Sequence, residues 1–230
     1  MPAALAPRQP DSRLERWFRL GPGRLLIADA LRQSIPELTR VFGHTGLYLR
    51  PLADVPPELS GNMLARIISL HRDGSGFDGQ LRCQDEQLPI AERSLSLVHA
   101  LFVLESSPDP QALLQEFARV LKPEGIVLLI TLNSWSPTRL RWAIQGISGQ
   151  AAAQAENMAR EAGLDVLRRH HLGPVWARDR RGRAPDPRTN RMTDGLRAVS
   201  LLVLRHREAA LTPLRNNARA TSLRPGISVG

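Results

Sequence analysis

A chain of 230 residues and 25.5 kDa, with 42% hydrophobic and 23% charged residues, suffices for the core of one large α/β domain; a wholly disordered or fibrous chain is excluded. The lone Cys83 excludes an internal disulfide and a CxxC metal or redox motif. No stretch reaches the roughly 18 apolar residues of a membrane span, so no spanning segment and a cytoplasmic location are expected. The net charge of +9 raises anionic partners, yet Lys122 is the single lysine among 31 basic residues, an arginine bias that a genome rich in G and C also produces.

Residues 1–20 read as a loose lead-in rich in Ala, Pro and Arg, with Trp17 and Phe18 anchoring the first ordered segment. From Gly23 to Phe42, apolar residues Leu25, Leu26, Ala28, Leu31, Ile35, Leu38 and Val41 recur at helical steps. One or two amphipathic helices broken at Pro36 are expected, with Gly43 as the stop. Runs of strand length follow at Gly46–Arg50, Arg66–Leu70, Gln80–Cys83 and Leu95–Leu101. The continuous apolar run Gly125–Thr131 suits a strand covered on both faces.

Asp109-Pro110 opens a helix whose stripe is Leu113, Leu114, Phe117, Val120 and Leu121, ended by Lys122-Pro-Glu-Gly125. A further helix runs from Ala151 to Ala162, a short strand from Leu164 to Leu167, and a last strand from Leu196 to Leu204. This succession predicts an α/β, doubly wound, mostly parallel sheet over residues 21–207. Arg178–Arg191 reads as an exposed basic loop, and residues 208–230 as a mobile basic tail.

Three motifs stand in order: Leu88-Pro-Ile-Ala-Glu-Arg-Ser-Leu-Ser-Leu-Val98, Val103-Leu-Glu-Ser-Ser-Pro-Asp-Pro110, and Leu113 through Arg119-Val-Leu-Lys-Pro-Glu-Gly125. Over these forty or so residues the chain resembles class I S-adenosylmethionine-dependent methyltransferases of the ubiquinone/menaquinone-methyltransferase-like, type 11 branch. The resemblance implies a Rossmann-like, seven-stranded sheet with an antiparallel last strand and an N-terminal helical cap. Its cofactor would be S-adenosylmethionine, seated near the loops after Leu49, Leu70, Cys83 and Leu101.

Carried onto this chain, the cofactor positions of the resemblance fall on Leu49, Arg50, Pro51, His71, Asp73, Gln84, Asp85, Leu88 and Leu101. The family's first strand ends in an acid and a glycine-rich turn, whereas Leu47-Tyr-Leu-Arg-Pro-Leu-Ala-Asp54 holds no glycine in the turn. At the second strand His71 stands near the ribose-binding acid, with Asp73 two residues on. At the third, Gln84 takes the adenine-contacting position beside Asp85.

His99 is the candidate general base, though alternation along Leu95, Leu97, His99 and Leu101 also suits a packed histidine. Glu105 matches the family's LEH-type glutamate or is an exposed strand-end carboxylate, Asn133 matches its PN-like position, Trp135 and Trp142 follow the fifth strand where family substrates enter or a lid helix packs, and His170-His171 lacks the further ligands a metal needs. The leading expectation is methyl transfer to a small-molecule acceptor, by a chain whose oligomeric state the sequence leaves open. The alternatives are a catalytically inactive form that has lost the cofactor and acts as an interaction module, and an RNA-associated methyltransferase reaching nucleic acid through the basic loop and tail.

Overall fold

The structure, a computed structural model, describes residues 12–144, 146–147, 151–174 and 195–207. In chain order the helices are α1 (Ser12–Arg19), α2 (Gly21–Leu38), α3 (Pro110–Val120), α4 (Arg139–Ile144) and α5 (Ala152–Glu161). The strands are β1 (Phe42–Arg50), β2 (Met63–Asp73), β3 (Gly76–Gly79), β4 (Cys83–Gln84), β5 (Leu95–Leu101), β6 (Leu121–Leu132), β7 (Leu164–Leu172) and β8 (Val199–His206). They form one sheet in the order β4-β3-β2-β1-β5-β6-β8-β7.

The four central strands, β2, β1, β5 and β6, run parallel, and their inner residues are apolar because both faces of the sheet are covered. On one face α1, α2 and the connection after β1 bury Leu14, Phe18, Ile27, Tyr48, Leu52, Leu97 and Ile130. On the other, α3 and α5 bury Leu47, Leu49, Leu70, Phe77, Val98, Phe117 and Leu129. β8 pairs antiparallel to both β6 and β7, as the resemblance implies for a last strand.

The sheet has eight strands and is mixed, so the expected seven are corrected. Residues 51–62 join the parallel strands β1 and β2 without a helix, their apolar surface supplied by Leu52, Val55 and Leu59. β2 then turns through Gly74-Ser75 into an antiparallel hairpin with β3, where a doubly wound chain would cross over through a helix. The strand expected at Gln80–Cys83 is the two-residue β4, and β3 was not foreseen.

Two further expectations change. α2 runs through Pro36, which lies in its last turn, where one lost amide donor is outweighed by burying Leu38. The second half of the expected lead-in is α1, seated by Leu14, Trp17 and Phe18, while residues 1–11 lie outside those described. The close approach of α1 to α2 needs Gly23, since a Cβ there would stand 2.4 Å from the carbonyl oxygen of Trp17.

Candidate active site

The carboxyl ends of β1, β2 and β5 meet where the strand order reverses, the place where open α/β sheets seat ligands. Arg50 closes β1. It is buried, and its Nη1 donates to the carbonyls of Ala53, at 3.2 Å, and Val55, so the glycine-free turn with its buried Pro51 wraps its own guanidinium. Burial lowers the pKa of Arg50 from its ordinary value, and the neighbouring Tyr48 opposes that fall.

At the end of β2 the sequence pointed to His71 and Asp73. His71 pairs with Arg50 in register and is half-buried; Asp73 is exposed and meets Arg82 at 3.4 Å. The residue between them, Arg72, organises the site. Its Nε donates to Ser106 Oγ at 3.1 Å, its Nη2 to the Val103 carbonyl at 3.0 Å, and its Nη1 to the Gly76 carbonyl at 3.3 Å and to Asp85 Oδ1. The guanidinium carbon stands 4.0 Å from the ring centroid of Phe77. Ser107 Oγ donates to the other Asp85 oxygen at 2.6 Å, so both oxygens of that buried carboxylate are engaged.

Sequence reasoning found Asp85 but missed Arg72, Phe77, Ser106 and Ser107. A signal existed: Ile68, Leu70 and Arg72 share one strand parity, and an inward arginine requires a carboxylate partner. Gln84 is exposed and only approaches Ser75, at 3.4 Å. Leu49 and Leu101 are core residues on opposite faces of the sheet.

Leu88 belongs to a clamp beneath the site. Its N–H donates to Glu116 at 2.8 Å, and Arg119 donates to the carbonyls of Leu88 and Ile90 at 3.0 and 3.1 Å. The Leu88-Pro89 turn and the Arg119-Val-Leu-Lys-Pro123 segment thus hold each other, the physical content of two of the three motifs.

His99 lies away from this cleft, wholly buried under α2 between Ser34 Oγ, at 3.4 Å, and the ring of Tyr48. Burial lowers its pKa to about 3, so it is a neutral packed histidine. Glu105 follows β5. The Leu132 N–H donates to its Oε1, its Oε2 has no hydrogen-bond partner among the described residues, and burial raises its pKa to about 7 against the lowering effect of the Leu132 N–H and of its own backbone N–H. Phe102, which turns the chain out of β5, has φ +49°, an uncommon conformation for so bulky a side chain.

Past β6, Asn133 Nδ2 donates to the carbonyls of Gly195 and Arg197, both at 2.8 Å, so it fixes the loop before β8. Trp142 packs edge-on against Trp17, while Trp135, Leu140 and Ile144 are exposed. No helix among the described residues is long and apolar enough to cross a membrane, and no group of three or more His, Cys, Asp or Glu among them could hold a metal ion. The loop at 178–191 and the tail at 208–230 lie outside the described residues.

Residues 42–129 match a family model described as a methyltransferase domain. Over residues 42–129 the chain is a methyltransferase domain of the class I type. The malonyl-[acyl-carrier protein] O-methyltransferase of Marinomonas sp. is 31% identical over 160 residues, which are 69% of this chain and 57% of that protein. The enzyme of the same name from Laribacter hongkongensis is 41% identical over 70 residues, 30% of this chain and 24% of that protein. The match therefore spans little more than half the length of the first of these relatives and about a quarter of the second. A solved S-adenosylmethionine-dependent methyltransferase from Aquifex aeolicus shares the fold, with a TM-score of 0.51 at 12% identity over 85% of this chain and 97% of that one.

The cofactor of this methyltransferase family is S-adenosylmethionine. The residues onto which the resemblance carries the cofactor positions do not fit it as they are arranged. The turn after β1 is filled by Arg50, and both oxygens of Asp85, the inward carboxylate, are taken by Arg72 and Ser107.

Proposed function

We propose that the chain is an S-adenosylmethionine-dependent methyltransferase that acts on a carboxylic acid carried as a thioester, in a form whose cofactor loops open before reaction. The observation that carries this reading is the region of the domain that keeps the motifs of the resemblance. β5, α3 and β6 keep the family's motifs, and the buried Glu105 and the Asn133 loop stand at their carboxyl ends. The carboxylate substrate class comes from the relatives, whose names give a malonyl group on an acyl carrier protein. A net charge of +9 suits a carrier of opposite charge.

The test is transfer of a labelled methyl group from S-adenosylmethionine to malonyl-loaded carrier, with unloaded carrier as control. Methyl ester on the loaded carrier alone is expected. Label on neither overturns the reading.

A second reading, a family member that has lost the cofactor and serves as an interaction module, is favoured by the Arg50 and Arg72 contacts that draw the cofactor loops together. Absence of both cofactor binding and methyl transfer from folded protein with freed loops would select it.

A further inference from the structure

Four loops border the cleft at the reversal of strand order, those after β1, β2, β4 and β5. Arg50 closes the first on itself, and Arg72 ties the other three together through Gly76, Asp85, Val103 and Ser106. A guanidinium is planar, and this one lies over an aromatic ring and donates to a carboxylate, the two kinds of contact that a purine base would use. An entering nucleoside meets a cation where its base would sit, and no free acceptor oxygen on Asp85.

We infer that Arg72 is a self-supplied occupant of the nucleoside end of the cofactor site, and that cofactor enters only when the β2–β3 hairpin carries Arg72 out. This rests on the methyltransferase reading above. The hairpin is the part able to move. The pairing of β2 with β1 ends at His71, so the backbone of Arg72 is paired on one side alone, with Phe77 of the four-residue β3, and β4 beyond has two residues.

The test is calorimetric titration of the full chain with S-adenosylhomocysteine. Removing Arg72 alone would leave Asp85 buried and unpaired, so Arg72→Ala is combined with Asp85→Asn. Arg72→Gln with Asp85→Asn, which retains a hydrogen-bonding pair, is the second variant should the first not fold; thermal melting reports folding. Native protein is expected to bind weakly, with a Kd of about 1 mM, and the variant to bind about tenfold more tightly or better. Equal affinity in native and variant protein, or no binding by either folded variant, overturns the inference.

The outcomes separate this inference from the reading it rests on. Native protein that binds tightly and transfers methyl removes the role of Arg72 and leaves the methyltransferase standing. A variant that gains ligand while no form transfers methyl upholds the role of Arg72 and ends that reading.

Discussion

The imidazole of His99 is wedged between Ser34 and Tyr48 with no access to water, and burial lowers its pKa from 6.5 to about 3. The unfolded chain takes a proton near pH 6.5 and the folded one does not. The stability that the neutral ring contributes is therefore complete above pH 6.5 and is lost as pH falls toward 3. Urea melts of His99→Leu are expected to show a flatter decline between pH 6.5 and about 4 than the native chain; an unchanged decline would place the titration elsewhere.

Glu105 works in the opposite sense. Burial raises its pKa from 4.5 to about 7, so the folded chain keeps a proton that the unfolded chain releases, and stability is lost as pH rises from 4.5 through 7. The full loss is about 3 kcal/mol. Glu105→Gln keeps an acceptor for the Leu132 N–H and is expected to stabilise the chain at about pH 8 with little effect at about pH 5, read from urea midpoints. Alternation along β5 offered a packed His99 from sequence alone, beside its reading as a general base. The burial of Glu105 was illegible there, because it depends on β6 lying alongside the end of β5.

At the scale of elements, α3 was read almost to its bounds because its signals are local. Asp109 caps the helix by accepting from the N–H groups of Gln111 and Ala112, each at 3.0 Å, and Pro110 supplies the first helical φ. Asp109→Ala is expected to cost about 1 kcal/mol in chemical denaturation, with native secondary structure retained. The β2–β3 hairpin also carried a local signal, the Gly74-Ser75 pair between Asp73 and Gly76, with Gly74 at φ +57°. The strand over Gly76–Gly79 nevertheless went unforeseen, because Phe77 is the one large apolar residue in it.

At the scale of the molecule, the N-terminal boundary decides how much of the chain is one cooperative unit. Phe18 stacks on Phe102 with ring centroids 5.1 Å apart, and Trp17 meets Trp142, so α1 roofs the end of β5. Phe18→Ala is expected to cost about 3 kcal/mol and to lower the single thermal transition, where a loose lead-in would leave it unmoved.

What the sequence determined by itself follows from periodicity and local chemistry: the buried strands β5 and β6 and the cap and stripe of α3, while the motifs around Leu88 and Arg119 carried the resemblance that implied an antiparallel last strand. What only the tertiary structure decided is the state of the cofactor cleft. Arg50 and Arg72 read as single charges at strand ends, and nothing within a few residues of either reveals its acceptors. Those acceptors are carbonyls, a hydroxyl and a carboxylate brought within hydrogen-bond reach by turns and strand pairing, up to 34 positions away in the case of Ser106. A buried guanidinium must be satisfied by whatever the fold places around it, so its partners are a property of the assembled sheet.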